Sequence, residues 1–325
     1  FSTRVVEGQP GEVFLVGGGD VTLTRAPGRN YYNSYASLAS LAEEAVLNAS
    51  PGMPLTIRPD GSRYEDFPTW NSMWRPGSAA LGFIAPVTAL QVDGDRDQPS
   101  VRLSSRSMNP ESRATTWFAE ALRVADPDRP VVVGVPGRAP SDGRVLATVQ
   151  SAPIGELIRV MLVDSDNSLA EVIAREVALA QGETSVGIAI AEGRGGTIGA
   201  SIQGGSGLSE STVVPHEEIA RLLVDINHDE SLRELKASLP VAGEAGSLRN
   251  RFLSESGELA GRIYAKTGTI RGTRSLAGYL KADDGSELVF SLNITGEGVD
   301  NSARDDIDGL IAELSRCGSG LVFRG

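Results

Sequence analysis

The stretch that decides the fold runs from residue 262 to residue 295 and reads RIYAKTGTIRGTRSLAGYLKADDGSELVFSLNIT. It contains three segments of strand-like composition, which predict consecutive strands over Arg262–Thr269, Arg274–Ala282 and Glu287–Thr295. Asp284 and Gly285 are favoured residues of a tight hairpin turn between the last two segments. We therefore expect at least these two strands to pair in an antiparallel sheet.

Helical patterns lie on both sides of this stretch. Apolar residues recur there at intervals of three and four positions, which is typical of amphipathic helices. The predicted helices are residues 154–162 opened by Pro153, residues 168–181, residues 219–226 opened by Pro215, and a closing helix that stops at Gly318. Ser168 and Glu171 fit a capping box at the start of the second helix. Helices followed by an antiparallel sheet and a terminal helix predict an α+β layered fold.

The first 145 residues have a different character. Strand patterns at residues 1–7, 12–16 and 131–135 accompany helical spacing at residues 35–47 and 115–124. Between residues 51 and 110 the chain is rich in Pro, Gly, Ser and Asp, which favours turns. We therefore predict two domains, a β-rich one over residues 1–145 and a second over residues 146–325.

Three aspartates in the first domain resemble a metal-binding loop. Asp93, Asp95 and Asp97 alternate as in a calcium site. However, Gln98 and Ser104 stand where that loop needs a glycine and a bidentate glutamate. We therefore expect a solvated turn here rather than a metal site.

Composition limits the possible functions. Of the 325 residues, 40% are apolar and 22% are charged, which is typical of a folded globular protein. The net charge of −12 argues against a nucleic-acid partner. The sequence contains no unbroken run of roughly 18 apolar residues, the length that a membrane helix needs. A single cysteine excludes an internal disulfide, and two histidines poorly supply a Ser-His-Asp triad or a multi-histidine zinc site. We expect no metal and no cofactor, and hydrolysis would need a base other than imidazole.

Lysine is rare in this chain, with three occurrences among 30 basic residues. A desolvated lysine can release a proton near neutral pH, whereas arginine cannot. One of the three, Lys266, precedes Thr267, Gly268 and Thr269 at the end of a predicted strand. A lysine and two hydroxyls at a strand end can bind a carboxylate, and the glycine lets a substrate backbone approach the strand edge. The alternative interpretation is a solvated lysine followed by a turn.

Ser165, Asp166 and Asn167 lie between two predicted helices, where the chain can turn a hydroxyl and an amide toward a cleft. The pattern Ser-x-Asn recurs at residues 107–109 and 291–293, so it is weak by itself. These residue types are also preferred at helix ends, so a helix cap is the alternative interpretation. In combination, however, Ser-Asp-Asn followed by Lys-Thr-Gly is the pair of secondary motifs of penicillin-recognising serine enzymes.

The resemblance to one such family extends over most of the chain. This sequence resembles class C low-molecular-mass penicillin-binding proteins, the D-alanyl-D-alanine carboxypeptidase/endopeptidase family, in five segments: residues 161–171 (MLVDSDNSLAE), 205–209 (GSGLS), 239–243 (LPVAG), 265–269 (AKTGT) and 276–279 (LAGY). Residues 16–20 (VGGGD) resemble the start of the domain inserted in that family. The resemblance implies a transpeptidase-type three-layer sandwich with an antiparallel sheet. Residues 1–145 would then be a β-rich inserted domain and residues 146–325 the C-terminal part of the penicillin-binding domain.

The resemblance also implies an activity. The protein would be an exported serine-type D-Ala-D-Ala carboxypeptidase or endopeptidase that acts outside the cytoplasm on peptidoglycan stem peptides and is inhibited by β-lactams. An upstream serine would attack the D-Ala-D-Ala bond and form an acyl-enzyme that water resolves.

Roles for individual residues follow from the same resemblance. Ser165 would relay a proton between an upstream lysine and the leaving amine, and Asn167 would hold that lysine or the substrate amide. Lys266 would attract the substrate carboxylate. Further substrate contacts would come from Thr267, Gly268, Thr269 and Asp60, with the N–H of Thr269 as one oxyanion donor.

Three features depart from the family pattern. No serine lies three residues before any lysine, because residues 233, 263 and 278 are Arg, Ile and Gly. The chain begins at Phe1 rather than at methionine, and we expect the Ser-x-x-Lys segment to belong to a missing front part. The stretch from residue 93 to residue 115 is too short for the extra subdomain often inserted there. Glu210 stands where a basic residue is expected, which leaves recognition of the substrate side chain unassigned.

Two other functions remain open from the sequence. A non-catalytic cell-wall-binding or scaffolding protein would keep the cleft and lack the nucleophile, as the absent Ser-x-x-Lys suggests. A serine β-lactamase would share the two secondary motifs, but such enzymes have no counterpart of residues 1–145. Retention of Ser165, Asn167, Lys266 and Thr269 favours a working carboxypeptidase site over both.

Overall fold

The computed structural model describes residues 1–28, 30–193, 199–253 and 258–321. These residues form eight strands and eight α-helices. In chain order they are β1 (Ser2–Glu7), β2 (Glu12–Val16), α1 (Leu38–Asn48), β3 (Leu55–Asp60), α2 (Pro110–Ala125), β4 (Val131–Val133), β5 (Val145–Gln150), α3 (Ile154–Asp164), α4 (Asn167–Gln181), α5 (Val186–Glu192), α6 (His216–His228), α7 (Arg233–Ala237), β6 (Ile263–Ile270), β7 (Thr273–Lys281), β8 (Glu287–Thr295) and α8 (Ser302–Cys317).

The chain divides into two compact units. The first comprises Phe1–Pro153, Asn167–Ala189 and Gly204–Ser209, and the second comprises Ile154–Asp166, Ile190–Gln203 and Glu210–Gly325. The predicted division into an inserted domain up to residue 145 and a penicillin-binding domain after it stays a prediction. Along the described part of the chain, no helix is both long enough and apolar enough to cross a lipid bilayer.

The first unit contains a mixed five-stranded sheet in the order β4-β3-β2-β1-β5. β2, β3 and β4 are parallel to one another, whereas β1 pairs antiparallel with both of its neighbours. Parallel neighbours need a crossover, and α1 and α2 supply the two crossovers here. Leu41 of α1 and Phe118 of α2 share one core with Leu15 and Ile57 of the sheet. β3 was not predicted, because it lies inside the stretch that is rich in turn-forming residues and contains Pro59.

The solvated turn expected for the three aspartates of this unit is wrong for Asp93 and Asp95, which are buried, whereas Asp97 is exposed. Asp93 and Asp95 are 1% and 0% exposed. Arg25 pairs with Asp93 at 3.0 Å, and Arg113 lies 3.4 Å from Asp95. A buried carboxylate is costly unless a cation or hydrogen-bond donors compensate it, and the two arginines do so here. Both partners are distant in sequence, so local spacing did not reveal them.

The second unit is built on the antiparallel sheet β6-β7-β8. On one face, Ile307 and Ile311 of α8 pack with Ala265 and Leu276. On the other face, Leu223 of α6 packs with Tyr279, whose hydroxyl donates a hydrogen bond to the Leu223 carbonyl at 2.7 Å. The sheet thus lies between two helical layers, which confirms the predicted three-layer α+β arrangement.

The four helices predicted on either side of the sheet are α3, α4, α6 and α8, with ends shifted by at most a few residues. The capping box predicted for Ser168 and Glu171 at the start of α4 is not formed. α4 begins at Asn167, so Ser168 lies inside the helix. The Glu171 carboxylate instead accepts hydrogen bonds from the N–H groups of Gly205 and Ser206, at 3.0 and 2.9 Å. Glu171 therefore anchors a segment more than thirty residues away within the first unit, a role that local sequence does not signal.

Candidate active site

Ser165 lies directly after α3 and has an unusual backbone conformation. Its φ angle is 55°, in the left-handed region that few residues other than glycine adopt. The N–H of Asp166 donates to the Met161 carbonyl at 3.1 Å and closes the end of α3. Non-glycine residues held in this region occur preferentially at functional sites, where surrounding structure imposes the conformation.

Lys266 on β6 reaches Ser165. Its Nζ donates a hydrogen bond to Ser165 Oγ at 2.7 Å and another to the Thr267 carbonyl at 3.0 Å. Both side chains are half-buried in the second unit. The structure therefore brings together one residue from each of the two sequence motifs.

The direction of β6 explains how the strand presents these groups. Side chains alternate between the faces of a sheet, so Ala265 packs with α8 while Lys266 lies on the opposite face. The N–H of Ala265 points away from β7, since it donates to the Pro240 carbonyl at 3.0 Å. Because N–H directions also alternate, the N–H groups of Thr267 and Thr269 point to the same outer edge. Among the described residues, neither of these two N–H groups has a hydrogen-bond acceptor.

Gly268 is required by the neighbouring strand. A Cβ atom at this position would lie 2.2 Å from Ser275 Oγ on β7. Packing against β7 is therefore a reason for glycine at this position in addition to the substrate approach expected from the sequence. Such a contact between paired strands cannot be seen without the register, in which Gly268 lies opposite Ser275.

The two threonines after Lys266 differ in their contacts. Thr267 Oγ1 donates a hydrogen bond to Ser247 Oγ at 2.8 Å, whereas Thr269 is exposed. Sequence reasoning did not single out Ser247, which lies on a short turn of 3-10 helix over Gly246–Leu248. The sequence feature that could have indicated a turn here is the preceding Gly246, and its φ angle of 61° in the structure is one that glycine adopts readily.

Asn167 and Asp60 both belong to the first unit. The Asn167 amide donates to the Phe83 carbonyl at 3.0 Å. Asp60 is 4% exposed, and its carboxylate accepts hydrogen bonds from the N–H groups of Ser62 and Ala139 at 3.0 and 2.7 Å. Neither contact tests the roles expected of these residues, which stay predictions.

The geometry in the second unit supports a specific kind of chemistry. A lysine in contact with a hydroxyl can stabilise an anion and assist the movement of a proton through that hydroxyl. Strand N–H groups that point outward can stabilise an oxyanion. A family model described as D-Ala-D-Ala carboxypeptidase 3 (S13) matches residues 90–316, which is more than half of the chain. The chain belongs to this S13 family.

Individual relatives of this S13 chain agree with the assignment. It is 37% identical over 328 residues to carboxypeptidase DacB of Mycolicibacterium smegmatis, in an alignment that covers 96% of this chain and 69% of the relative. It is 34% identical over 334 residues to carboxypeptidase Rv3627c of Mycobacterium tuberculosis, with 98% of this chain and 70% of the relative covered. Membership of the S13 family confirms the resemblance inferred from the motifs and the enzyme class expected from it.

The fold of the S13 chain also has a solved counterpart. The structure of penicillin-binding protein 4 from Haemophilus influenzae superimposes with a TM-score of 0.78. The sequence identity is 17%, and the match covers 97% of this chain and 86% of that protein. At this identity the likeness concerns the fold, and it confirms the penicillin-binding architecture predicted from the sequence.

Proposed function

We propose that this protein is a serine-type D-Ala-D-Ala carboxypeptidase that removes the terminal D-alanine from peptidoglycan stem peptides and is acylated by β-lactams. The observation that carries the proposal is the 2.7 Å hydrogen bond from Lys266 to Ser165, beside the open edge of β6 in an S13 family member. This arrangement provides a cation and a proton-conducting hydroxyl next to a strand that can bind an extended peptide.

The nucleophile of the reaction is a serine outside these 325 residues. None of the lysines here has a serine three positions before it, so the chain offers no Ser-x-x-Lys pair. We place that pair N-terminal to Phe1. Its serine would be activated by its own lysine, because a serine hydroxyl is a weak nucleophile without an adjacent base.

The reaction then proceeds in two steps. The serine oxygen attacks the carbonyl carbon of the penultimate D-alanine, and the serine proton passes through the upstream lysine and Ser165 to the leaving amine. The C–N bond breaks, D-alanine departs, and an acyl-enzyme ester remains. Water then attacks the ester, which releases the shortened peptide and returns a proton to the serine.

Groups on β6 orient the substrate during both steps. Lys266 supplies positive potential for the terminal carboxylate, which the hydroxyls of Thr267 and Thr269 bind. The outward N–H of Thr269 is one donor of the oxyanion hole, and the N–H of the nucleophilic serine is the other. Gly268 keeps the strand surface free of a side chain where the peptide lies.

Two residues of the first unit complete the proposal. Asn167 holds the upstream lysine or the substrate amide, in addition to its hydrogen bond with the Phe83 carbonyl. Asp60 contacts the stem peptide through the remaining lone pairs of its carboxylate oxygens, which already accept hydrogen bonds from Ser62 and Ala139. Because peptidoglycan lies outside the cytoplasmic membrane, we propose that the protein acts in the cell wall or periplasmic space.

Labelling with a fluorescent penicillin tests this function. The chain from Phe1 to Gly325 should form no stable adduct, and the same chain extended by its upstream residues should. The expectation rests on the loss of about 10⁶ in turnover when a serine hydrolase loses its nucleophile. Release of D-alanine from a peptide that ends in D-Ala-D-Ala should follow the same pattern.

Two results would contradict the proposal in different ways. An adduct mapped to Ser165, or to any other serine within residues 1–325, would place the nucleophile inside this chain. Failure of the extended chain to label and to release D-alanine would favour the alternative, a non-catalytic cell-wall-binding or scaffolding protein, for which the missing Ser-x-x-Lys is the supporting observation.

A further inference from the structure

The 83–87 segment of the first unit forms no helix or strand, although its last four residues are buried. Irregular backbone in a protein interior has no regular hydrogen-bond partners, so other groups must satisfy its N–H and carbonyl groups. The Val87 N–H donates to the Thr69 carbonyl at 2.7 Å. The carbonyls at the two ends of the segment, those of Phe83 and Val87, accept hydrogen bonds from side chains of α4.

The two donors are Asn167 and Arg175. The Asn167 amide lies 3.0 Å from the Phe83 carbonyl, and Arg175 Nη1 lies 3.1 Å from the Val87 carbonyl. Residues four positions apart lie one above the other on a helix, so these two residues, which are two such steps apart, share a face of α4. One face of α4 therefore holds both ends of the 83–87 segment.

Arg175 also ties this segment to a second one. Its Nη2 donates to the Pro68 carbonyl at 2.8 Å, so the guanidinium bridges residues 68 and 87. The ring centres of Tyr64 and Phe67 lie 5.3 and 5.4 Å from the guanidinium carbon. The residue is only 3% exposed, and among the described residues its Nε has no hydrogen-bond acceptor.

A buried arginine of this kind is costly to the fold. Both of its hydrogen-bond acceptors are neutral carbonyl oxygens. Burial lowers the pKa of Arg175, an effect that the negative charge of Glu171 partly offsets. An apolar side chain of similar size could fill the same space without the cost of burying a charge, but it could not join two backbone carbonyls. These contacts favour a role in holding the backbone over a role in packing.

We propose that Arg175 is a positioning residue that keeps the side-chain amide of Asn167 oriented for acylation, because it fixes the 83–87 segment whose first carbonyl accepts from that amide. The inference rests on the proposed function, in which Asn167 holds the upstream lysine or the substrate amide. Only the NH2 group of an amide can donate to a carbonyl, so the Phe83 contact leaves the Asn167 oxygen available as an acceptor. Loss of the Arg175 bridge releases the far end of the segment and lets the amide rotate.

Single-turnover acylation of the full-length protein by a fluorescent penicillin measures the effect. Arg175→Gln should lower the acylation rate constant by about 10- to 100-fold, since a displacement of about 1 Å at a reacting group can cost about 100-fold. Its rate should not fall below that of Asn167→Ala. Arg175→Lys keeps the charge but lacks the planar fork that joins two carbonyls, so its rate should lie between those of Arg175→Gln and wild type.

Arg129→Gln is the matched control. Arg129 is also a buried arginine of the first unit, and it forms an ion pair with Asp126, directly after α2. Its replacement removes a buried guanidinium without removing a donor to the 83–87 segment. This variant should be acylated at the wild-type rate.

A double-mutant cycle separates positioning from a general loss of structure. If Arg175 acts through Asn167, adding Arg175→Gln to Asn167→Ala should slow acylation no further. If Arg175 only stabilises the first unit, the two effects should multiply, which would overturn the proposal. Thermal melting identifies a temperature at which every variant is folded, and Arg175→Lys replaces Arg175→Gln in the cycle if the latter does not fold.

A measurement that needs no activity separates this inference from the proposed function. In the isotopically labelled full-length protein, the NH2 signals of Asn167 are assigned by their loss in Asn167→Ala. They should be ordered in wild type and lose order in Arg175→Gln. If wild type is not acylated but Arg175→Gln mobilises the amide, the function fails and the positioning role holds. If wild type is acylated and Arg175→Gln keeps the wild-type rate or leaves the amide ordered, the role assigned to Arg175 is wrong and the function holds.

Discussion

Lys266 Nζ donates a hydrogen bond to Ser165 Oγ over 2.7 Å, although 101 residues separate the two in sequence. The lysine is held on a regular strand, and the serine has a φ angle of 55° directly after a helix. The surrounding structure imposes a costly backbone conformation on Ser165 and directs its hydroxyl to a cation. In the proposed mechanism Lys266 contributes charge and Ser165 contributes a proton path, so replacing each residue should have a different kinetic effect.

Lys266→Ala should slow penicillin acylation of the full-length protein by about 10- to 150-fold, since a charged hydrogen bond contributes roughly 1.5–3 kcal/mol. Its melting temperature should change little, because the side chain is half-buried and is not among the apolar core residues that pack on either face of β6. Lys281→Ala, at the exposed end of β7, is the matched control and should acylate normally. Normal acylation by Lys266→Ala would show that the Lys-Thr-Gly interpretation is wrong.

Ser165→Ala and Ser165→Gly should both reduce the acylation rate by about 10²- to 10⁴-fold, the range for a group that transfers protons, while ligand affinity stays nearly unchanged. Their stabilities should differ. A left-handed conformation costs a residue with a Cβ roughly 1–2 kcal/mol, so the glycine variant should melt at a higher temperature than the alanine variant. Single-turnover acylation and thermal melting measure the two effects. A helix cap alone would predict normal rates in both variants together with lower stability.

Asp284 should make the second unit sensitive to acid. Hydrogen bonds from Ser286, and then from Ser319, hold the pKa of this carboxyl far below its usual value. A lowered pKa in the folded state means that ionised Asp284 stabilises the fold above its unfolded pKa of about 3.9 and loses this effect as the pH falls further. Asp284→Asn should therefore be less stable than wild type at pH 6, and the difference should shrink at pH 3. Urea unfolding at both pH values measures this difference, and a difference of equal size at pH 6 and pH 3 would contradict the prediction.

Gly318 should tolerate no side chain. Its φ angle is 51°, and a Cβ atom would lie 2.5 Å from the Asp284 carboxylate. We expect Gly318→Ala to lower the free energy of unfolding by about 1–3 kcal/mol, because it combines backbone strain with a steric conflict. Gly320→Ala is the control, since a Cβ there meets open space. Equal stability of the two variants in urea would contradict the contact.

Much of the second unit could be predicted from sequence, because its signals are local. The three strands, their hairpin and the closing helix follow from side-chain periodicity and turn residues within short windows. The first unit was predicted less completely. β3 lies among residues that favour turns, and it becomes a strand because β2 and β4 pair with both of its edges. Tertiary pairing of this kind overrides local preference.

The sequence alone identified the two motifs, the family and the enzyme class, because these depend on the identity and order of residues along the chain. Only the tertiary structure decided which groups meet. It placed Lys266 on Ser165, paired the buried Asp93 with Arg25, and put Arg274 in a cavity with Thr267 and Thr269. Each of these contacts joins separate elements through strand register or packing across a layer. Their distances are set by the burial of whole faces and not by spacing along the chain, so local pattern does not contain them.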